Sequence, residues 1–81
     1  MLKITRRNGR TVRLEGRLTR DEVGLLREAL RGSGRPDALD LTGLGFLDEA
    51  GASALRELRR GGVALEGASS FVQALLGGLA S

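Results

Sequence analysis

The fold of this chain is decided by residues 39–51, Leu39-Asp40-Leu41-Thr42-Gly43-Leu44-Gly45-Phe46-Leu47-Asp48-Glu49-Ala50-Gly51. With Ala38, the apolar start of this stretch predicts a short central strand, residues 38–41, that is buried on both faces. The glycines then predict a loop, residues 42–47, whose apolar side chains must fold back onto the core. Asp48 is a favourable N-cap, so a helix is predicted over residues 49–60.

Two strands and a helix are predicted upstream of this centre. Alternating apolar and polar residues predict half-buried strands at residues 2–5 and 12–15. A helix is predicted over residues 19–31. At its start, the Thr19 hydroxyl would accept from an amide one turn on, and the Glu22 side chain would reach back to the Thr19 amide. Apolar residues then follow at helical spacing: Val23, Leu25, Leu26, Ala29 and Leu30. The helix is predicted to end at Gly32-Ser33-Gly34 and Pro36. Because this helix precedes strand 38–41, the crossover rule predicts a parallel pair of strands.

The loop of the opening hairpin sets its register. A two-residue turn at Asn8-Gly9 would mix apolar and polar side chains on each face, whereas a three-residue loop over residues 7–9 pairs Ile4 with Val12. The longer loop also places Gly9 where a left-handed residue belongs. We therefore predict the three-residue loop, although it sets two like charges opposite each other, Lys3 and Arg13.

The rest of the chain predicts two more elements after helix 49–60. Gly51 costs that helix roughly 1 kcal/mol relative to alanine, so its presence indicates close packing against a strand or a partner. Residues 63–65 predict a short strand, and the capping-box spacing from Ser70 to Gln73 predicts a last helix. The apolar side of that helix is predicted to comprise Phe71, Val72, Leu75, Leu76 and Leu79. The predicted fold is α/β, one domain of residues 1–81, with the order β-β-α-β-α-β-α and a four-stranded mixed sheet packed by helices.

Composition narrows the function classes. The 81 residues include no Cys and no His, which excludes disulfides and thiolate metal sites and removes the usual zinc ligand and neutral-pH general base. Without Trp or Tyr, the chain offers little surface for stacking bases, so nucleic acid is not an expected partner. No apolar run approaches the roughly 20 residues of a membrane span. We expect a cytoplasmic protein with no membrane insertion and no cofactor.

The net charge of +3 is unevenly distributed. Residues 1–20 carry seven basic residues against Glu15 alone, a formal charge of +6, so residues 21–81 carry −3. Such a basic segment is able to steer an acidic partner. The simpler interpretation is a solvated strand face, because no aromatic residues interleave with the basic ones.

Catalytic and phosphate-binding sites have few candidate residues. Asp40, Asp48 and Glu49 are the carboxylates that a paired-carboxylate or hard-metal site would use. The simpler interpretation is structural: Asp48 caps a helix, Glu49 is exposed, and Asp40 accepts loop amides. Gly43-x-Gly45 before a helix is similar to a phosphate-binding turn, but the third glycine, Gly51, comes too late for the dinucleotide motif. We therefore predict no catalytic residue and no metal site.

The stretch Asp40-Leu41-Thr42-Gly43-Leu44-x-Phe46-Leu47-Asp48-x-Ala50-Gly51 resembles the motif of STAS domains, which occur in bacterial anti-sigma-factor antagonists and sulfate-transporter tails. The family pattern is an apolar strand, Asp-Leu-Ser, a loop, Phe-Ile-Asp-Ser-Ser-Gly and a helix. The resemblance extends over nearly the whole chain. It includes Arg13-Leu14-Glu15-Gly16-Arg17-Leu18 as the entry strand, residues 62–69 as the last strand and turn, and Phe71-Val72-x-x-Leu75-Leu76 as the final helix.

The resemblance implies a protein-binding module. In the antagonists, the loop and helix at Asp-Ser-Ser-Gly dock on a kinase-type anti-sigma factor, and phosphorylation of the second Ser adds up to two negative charges that break the contact. This chain departs from the pattern there: Glu49 stands at the first Ser position and Ala50 at the acceptor position. Ala50 has no hydroxyl, so we expect no phosphorylation switch at this position. Glu49 is a fixed negative charge beside it, and Ser53 is an alternative acceptor one turn on.

We therefore expect a non-catalytic regulator that binds a protein, an anti-sigma factor with serine kinase character, through residues at the start of the second helix: Phe46, Leu47, Asp48, Glu49, Ala50, Gly51, Ser53 and Arg56. One alternative is the STAS subunit of an ABC lipid-transport system that binds its ATPase, which an Ala at the acceptor position also resembles. Another is a sensor that binds a nucleotide or lipid above the strand ends. A third is a homodimer, because so short a chain has a thin core.

Overall fold

The computed structural model of the chain describes residues 1–33 and 35–77. The elements in chain order are β1 (Leu2–Arg6), β2 (Thr11–Leu18), α1 (Arg20–Ser33), β3 (Ala38–Leu47), α2 (Glu49–Arg60), β4 (Ala64–Glu66) and α3 (Ser70–Leu75). The sheet has the order β1-β2-β3-β4, with β1 antiparallel to β2 and the other neighbours parallel. The predicted α/β order and mixed four-stranded sheet are confirmed. Two residues used in the predictions, Gly34 and Leu79, lie outside the described residues.

The core lies between one face of the sheet and the helices. Alternate residues of β2 and β3 point to this face, and Val12 lies opposite Leu39 in the parallel register. Their side chains form one buried cluster with residues of all three helices: Leu26 and Leu30 of α1, Ala52 and Leu55 of α2, and Val72 of α3. The strand predicted at residues 38–41 is buried on both faces, as predicted. The sheet face away from the helices carries its polar residues.

The predicted loop over residues 42–47 is wrong, because β3 continues through it to Leu47. β3 has one residue more than β2 between Asp40 and Gly43, and again between Leu44 and Phe46. These are bulges, which bend a strand without ending it. A side chain at Gly43 would come within 2.7 Å of the Glu15 side chain, so a glycine fits this bulge. The glycines that predicted a loop therefore allow an irregular strand.

The hairpin register also differs from the prediction. Ile4 pairs with Leu14 and Arg6 with Val12, a slip of two residues that makes the loop longer than residues 7–9. Because the slip is an even number, the apolar residues stay on the core face. It also places Lys3 opposite Glu15, so the predicted like-charge pair is replaced by an oppositely charged one.

The Asn8 side chain explains the longer loop. Its oxygen accepts hydrogen bonds from the backbone amides of Arg10 and Thr11, at 2.8 and 2.9 Å. Asn side chains commonly build turns by bonding nearby backbone amides in this way. Gly9 does not take the left-handed conformation that the three-residue loop requires.

The helix starts agree with the predictions only in part. The Glu22 carboxylate does accept from the amide of Thr19, at 3.3 Å, but the Thr19 hydroxyl donates to that carboxylate and does not accept from a described helix amide. In α3 the N-cap is Ser69, not Ser70: the Ser69 hydroxyl accepts from the amide of Val72 at 3.2 Å. Leu25 does not widen the buried stripe of α1, since 58% of it is exposed.

Gly51 packs against a strand, as predicted. A side-chain carbon at Gly51 would overlap the backbone oxygen of Leu18, the last residue of β2. The backbone amide of Asp48 donates to the same oxygen at 3.3 Å. The start of α2 is therefore held directly on the end of β2, and this contact positions the residues that follow.

Candidate functional site

One carboxylate closes the first turns of two helices. Asp48 lies between β3 and α2, and its Oδ1 accepts from the amide of Gly51 at 2.8 Å, which is the predicted N-cap of α2. Its Oδ2 accepts from the amide of Arg20 at 2.8 Å, in the first turn of α1. Both bonds use amides that a helix start otherwise leaves unpaired. Asp48 therefore joins the two helix starts at one corner of the molecule.

These bonds stabilise the ionised form of Asp48. The Gly51 amide and then the Arg20 amide lower the pKa of the Asp48 carboxyl, because each donates to the charged oxygen atoms. Both carboxylate oxygens are therefore already engaged by the fold. The geometry assigns Asp48 a structural role, in agreement with the simpler interpretation of its carboxylate.

Replacing Asp48 with alanine is expected to loosen both helix starts together, since one substitution removes both hydrogen bonds. In hydrogen exchange followed by NMR, the amides of Gly51 and Arg20 should both exchange faster. The matched control is Ser69→Ala, which removes a cap at α3 alone. Faster exchange at Gly51 with no change at Arg20 would contradict the two-helix role.

Three of the eight predicted binding residues are buried or hydrogen-bonded within the corner: Leu47, Asp48 and Gly51. Leu47 is buried in the core and Gly51 is buried against β2. With Asp48, they hold the corner in place and offer little surface to a partner. The corner from Phe46 to Arg56, called here the Asp48 corner, therefore has an inner part and an outer part.

The outer part comprises Phe46, Glu49, Ala50 and Ser53. Glu49, Ala50 and Ser53 line an open concavity together with Asp48 and Arg20 of α1. Ser53 is the sole hydroxyl among the described residues that line it. Ala50, at the position where the resembled family carries its phosphoacceptor, offers only a methyl group.

Arg56 connects the corner to α3. Its guanidinium lies 3.7 Å from the Glu49 carboxylate and donates a hydrogen bond to the backbone oxygen of Leu76 at 3.2 Å. The Arg56 side chain is 32% exposed, so only part of this predicted binding residue is available to a partner. Glu49 remains 95% exposed, and at such exposure the ion pair contributes little to stability. The Glu49 carboxylate is therefore accessible, with a positive neighbour.

Phe71 is a surface residue that the sequence pattern does not indicate. Helical spacing predicts that Phe71 lies on the buried apolar side of the last helix, but 55% of it is exposed. Its ring lies 6.4 Å from that of Phe46, centre to centre, with the planes tilted by 33°. The two rings are the only aromatic side chains of the chain. The sequence does contain one indication of this contact. Of its two aromatic residues, Phe46 lies beside Asp48 and Phe71 lies in the last helix, and the fold can bring two such positions to the same surface.

Asp40 belongs to a separate structural cluster on the sheet face away from the helices. Its Oδ1 accepts from the amide and hydroxyl of Thr42, and its Oδ2 accepts from Arg7 at 2.7 Å. The Thr42 hydroxyl and amide, and then Arg7, lower the pKa of the Asp40 carboxyl to about 2. A carboxylate held ionised in this way is a poor general acid.

Part of the basic N-terminal charge is paired within the fold. Arg7, Arg10 and Arg13 form ion pairs with Asp40, Asp37 and Glu15 respectively. This pairing favours the interpretation of the basic segment as a solvated strand face.

Within residues 1–33 and 35–77, acidic residues do not gather in a group of three that could hold a metal ion. None of the described helices is long and apolar enough to cross a membrane.

The phosphate-binding alternative lacks its geometry. Gly43 and Gly45 lie inside β3, so the turn that such a motif needs is not formed. The Gly51 amide at the start of α2 is occupied by Asp48. The Asp48 carboxylate thus occupies the position at the start of α2 where a phosphate would bind.

Neither a family model nor a curated protein matches this chain. The resemblance to the STAS motif is therefore limited to the sequence patterns that suggested it, and no comparison supports it.

Proposed function

We propose that this chain is a non-catalytic, cytoplasmic interaction module of the STAS type, which binds a regulatory protein through the outer part of the Asp48 corner. The element order agrees with what the resemblance implies. The motif residues divide in the manner of a binding module: Leu47, Asp48 and Gly51 hold the corner, and Phe46, Glu49 and Ser53 stay exposed. The partner class that the resemblance implies is an anti-sigma factor with a serine kinase fold.

The exposed pair of Phe46 and Phe71 is the observation that carries this proposal. Exposed aromatic side chains are costly in water and are enriched among the residues that dominate protein interfaces. Here the two aromatic rings of the chain lie 6.4 Å apart on the surface, and Phe46 precedes the exposed Glu49 by three residues in the sequence. A partner that covers them would bury apolar surface at the centre and meet charged residues at the rim.

Binding is expected to be constitutive, because the acceptor position holds Ala50. Ala50 has no hydroxyl to carry a phosphate, so the charge that breaks the contact in the resembled family cannot be added at this position. Glu49 carries one negative charge beside that position, and Arg56 lies 3.7 Å from it. The same chemistry suits an ABC transporter ATPase as a partner, which is the alternative within this function class.

Glu49→Lys should weaken the complex at least about tenfold, because Glu49 lies in the proposed interface. Reversing a charge outside that interface should leave the affinity unchanged. Affinity is measured by titration calorimetry with a purified anti-sigma kinase and with an ABC ATPase from the source organism. Glu57→Lys is the matched control: it reverses an exposed glutamate of the same helix that also pairs with an arginine, Arg27, on the side facing α1.

A second pair of variants tests the aromatic surface in the same assay. Phe71→Ala should weaken the complex by a similar factor, and Leu25→Ala should leave it unchanged, although the two side chains are almost equally exposed. Unaltered affinity in both Glu49→Lys and Phe71→Ala would exclude this surface. Absence of binding to either class of partner would count against the proposed function itself.

A further inference from the structure

A groove runs between α1 and α2, on the side of α2 that faces away from α3. Its floor is apolar and is formed by side chains of both helices: Leu26, Leu30, Ala54 and Leu58. The deeper part has a volume of about 200 Å³, is partly open to solvent, and continues into a shallower concavity that shares Leu30 and Leu58. An apolar cavity of about 150 Å³ accommodates benzene, so this one has room for an alkyl chain of about six to eight carbons.

Three arginines stand along one wall of this groove: Arg27, Arg31 and Arg35. Arg27 pairs with Glu57 across the groove at 3.6 Å, and Arg31 pairs with Glu28 of its own helix at 3.5 Å. Both pairs are highly exposed, so they are weak and readily exchanged. The wall therefore offers more positive charge than the two glutamates neutralise.

Arg35 differs from the other two arginines. Its side chain makes no hydrogen bond or ion pair with any residue in the described ranges 1–33 and 35–77. Its guanidinium nevertheless lies close to the chain, since a side-chain carbon at Gly61 would come within 2.9 Å of Nη1. Arg35 thus presents unpaired donors at the end of an apolar floor, and a carboxylate is a group that a guanidinium binds with two parallel hydrogen bonds.

We propose that this groove binds a free medium-chain monocarboxylate, with its carboxylate on Arg35 and its alkyl chain along Leu30 and Leu58. Arg35, which pairs with no described residue, matches one negative charge, and the deeper part of the groove has room for about eight carbons. A nucleotide fits less well, because the floor has no aromatic side chain on which a base would stack. The groove involves the C-terminal half of α2, so this proposal does not depend on the partner-binding function.

Sodium octanoate is the probe, titrated well below its micelle concentration into the ¹⁵N-labelled chain and followed by amide shifts. We expect saturable shifts that concentrate at Leu30, Leu58 and Gly61. Butanoate should bind at least about tenfold more weakly, because its shorter chain buries less of the floor. Octan-1-ol, which keeps the chain but lacks the charge, should also bind at least about fivefold more weakly.

Arg35→Gln should weaken octanoate binding at least about tenfold, and Arg60→Gln, a change at an exposed arginine of α2 outside the groove, should leave it unchanged. Circular dichroism checks that both variants remain folded. Shifts that do not saturate, shifts that scatter over the surface, or equal affinity in Arg35→Gln would overturn the proposal. Binding that appears only when phospholipid vesicles are present would also overturn it, since the site is assigned to a free carboxylate.

Discussion

Gly51→Ala is expected to destabilise the protein by about 3 kcal/mol, a large part of the stability of a small domain. The added carbon would overlap the backbone oxygen of Leu18 and come within 3.2 Å of its Cγ. A backbone oxygen cannot rotate away as a flexible side chain can. The start of α2 would have to move off β2, which also strains the bond from Asp48 to Leu18.

Gly24→Ala is the matched control, because it makes the same change inside another helix. No atom lies within 4 Å of the position that its side-chain carbon would occupy. Alanine should therefore raise the free energy of unfolding by about 0.5–1 kcal/mol, the ordinary difference between the two residues in a helix. Urea unfolding followed by circular dichroism at 222 nm measures both variants. Similar effects of the same sign would contradict the close contact at Gly51.

Asp40→Asn is expected to lower the free energy of unfolding at pH 7 by about 2 kcal/mol. The hydrogen bonds from Thr42 and Arg7 lower the pKa of Asp40 from 3.8 to about 2, and the substitution removes the carboxylate charge that they stabilise. Most of the effect should come from Thr42, whose hydroxyl and amide are the main causes of the lowered pKa. The Arg7 side chain is half exposed and contributes less.

The pH dependence of this effect has a definite sign. As the pH falls, the unfolded chain binds a proton at Asp40 first, near pH 4, whereas the folded chain binds it near pH 2. Stability contributed by the charge is therefore complete above about pH 5 and is lost as the pH falls through this range. The difference between Asp40→Asn and the parent protein should shrink towards zero at about pH 2.

Asp37→Ala is the control for the Asp40 cluster. Asp37 pairs with Arg10 at 3.2 Å, but both side chains are largely exposed. Its removal should change the free energy of unfolding by less than about 1 kcal/mol, as is usual for a surface ion pair. A difference between Asp40→Asn and the parent protein that stayed constant between pH 7 and pH 2 would contradict the role assigned to the Asp40 charge.

The order of the elements could be predicted because local patterns and connection rules determine it. The alternation of apolar and polar residues, the capping residues and the crossover rule can all be read from neighbouring positions in the sequence. Helix α2 begins and ends at the predicted residues. The length of β3 could not be predicted in the same way. Gly43 and Gly45 are typical of loops, and the chain alone does not show that neighbouring β2 supports a bulge at each of them.

The candidate site was predictable to the extent that it is local. The bond from Gly51 to Asp48 spans three residues and follows from the capping preference of Asp. The bond from Arg20 spans 28 residues, and only the assembled fold brings these groups together. The exposed contact between Phe46 and Phe71 is likewise tertiary. Apolar residues at helical spacing predict a buried face, but Phe71 in the first turn of α3 is exposed.

The most direct test of the account is the binding footprint of the chain in complex with an anti-sigma serine kinase or an ABC ATPase from the source organism, mapped by amide chemical shifts. The account predicts that the largest changes fall on Phe46, Glu49, Ala50, Ser53 and Phe71, with the complex forming without phosphorylation. A stable complex whose footprint lies elsewhere and leaves these residues unchanged would contradict it.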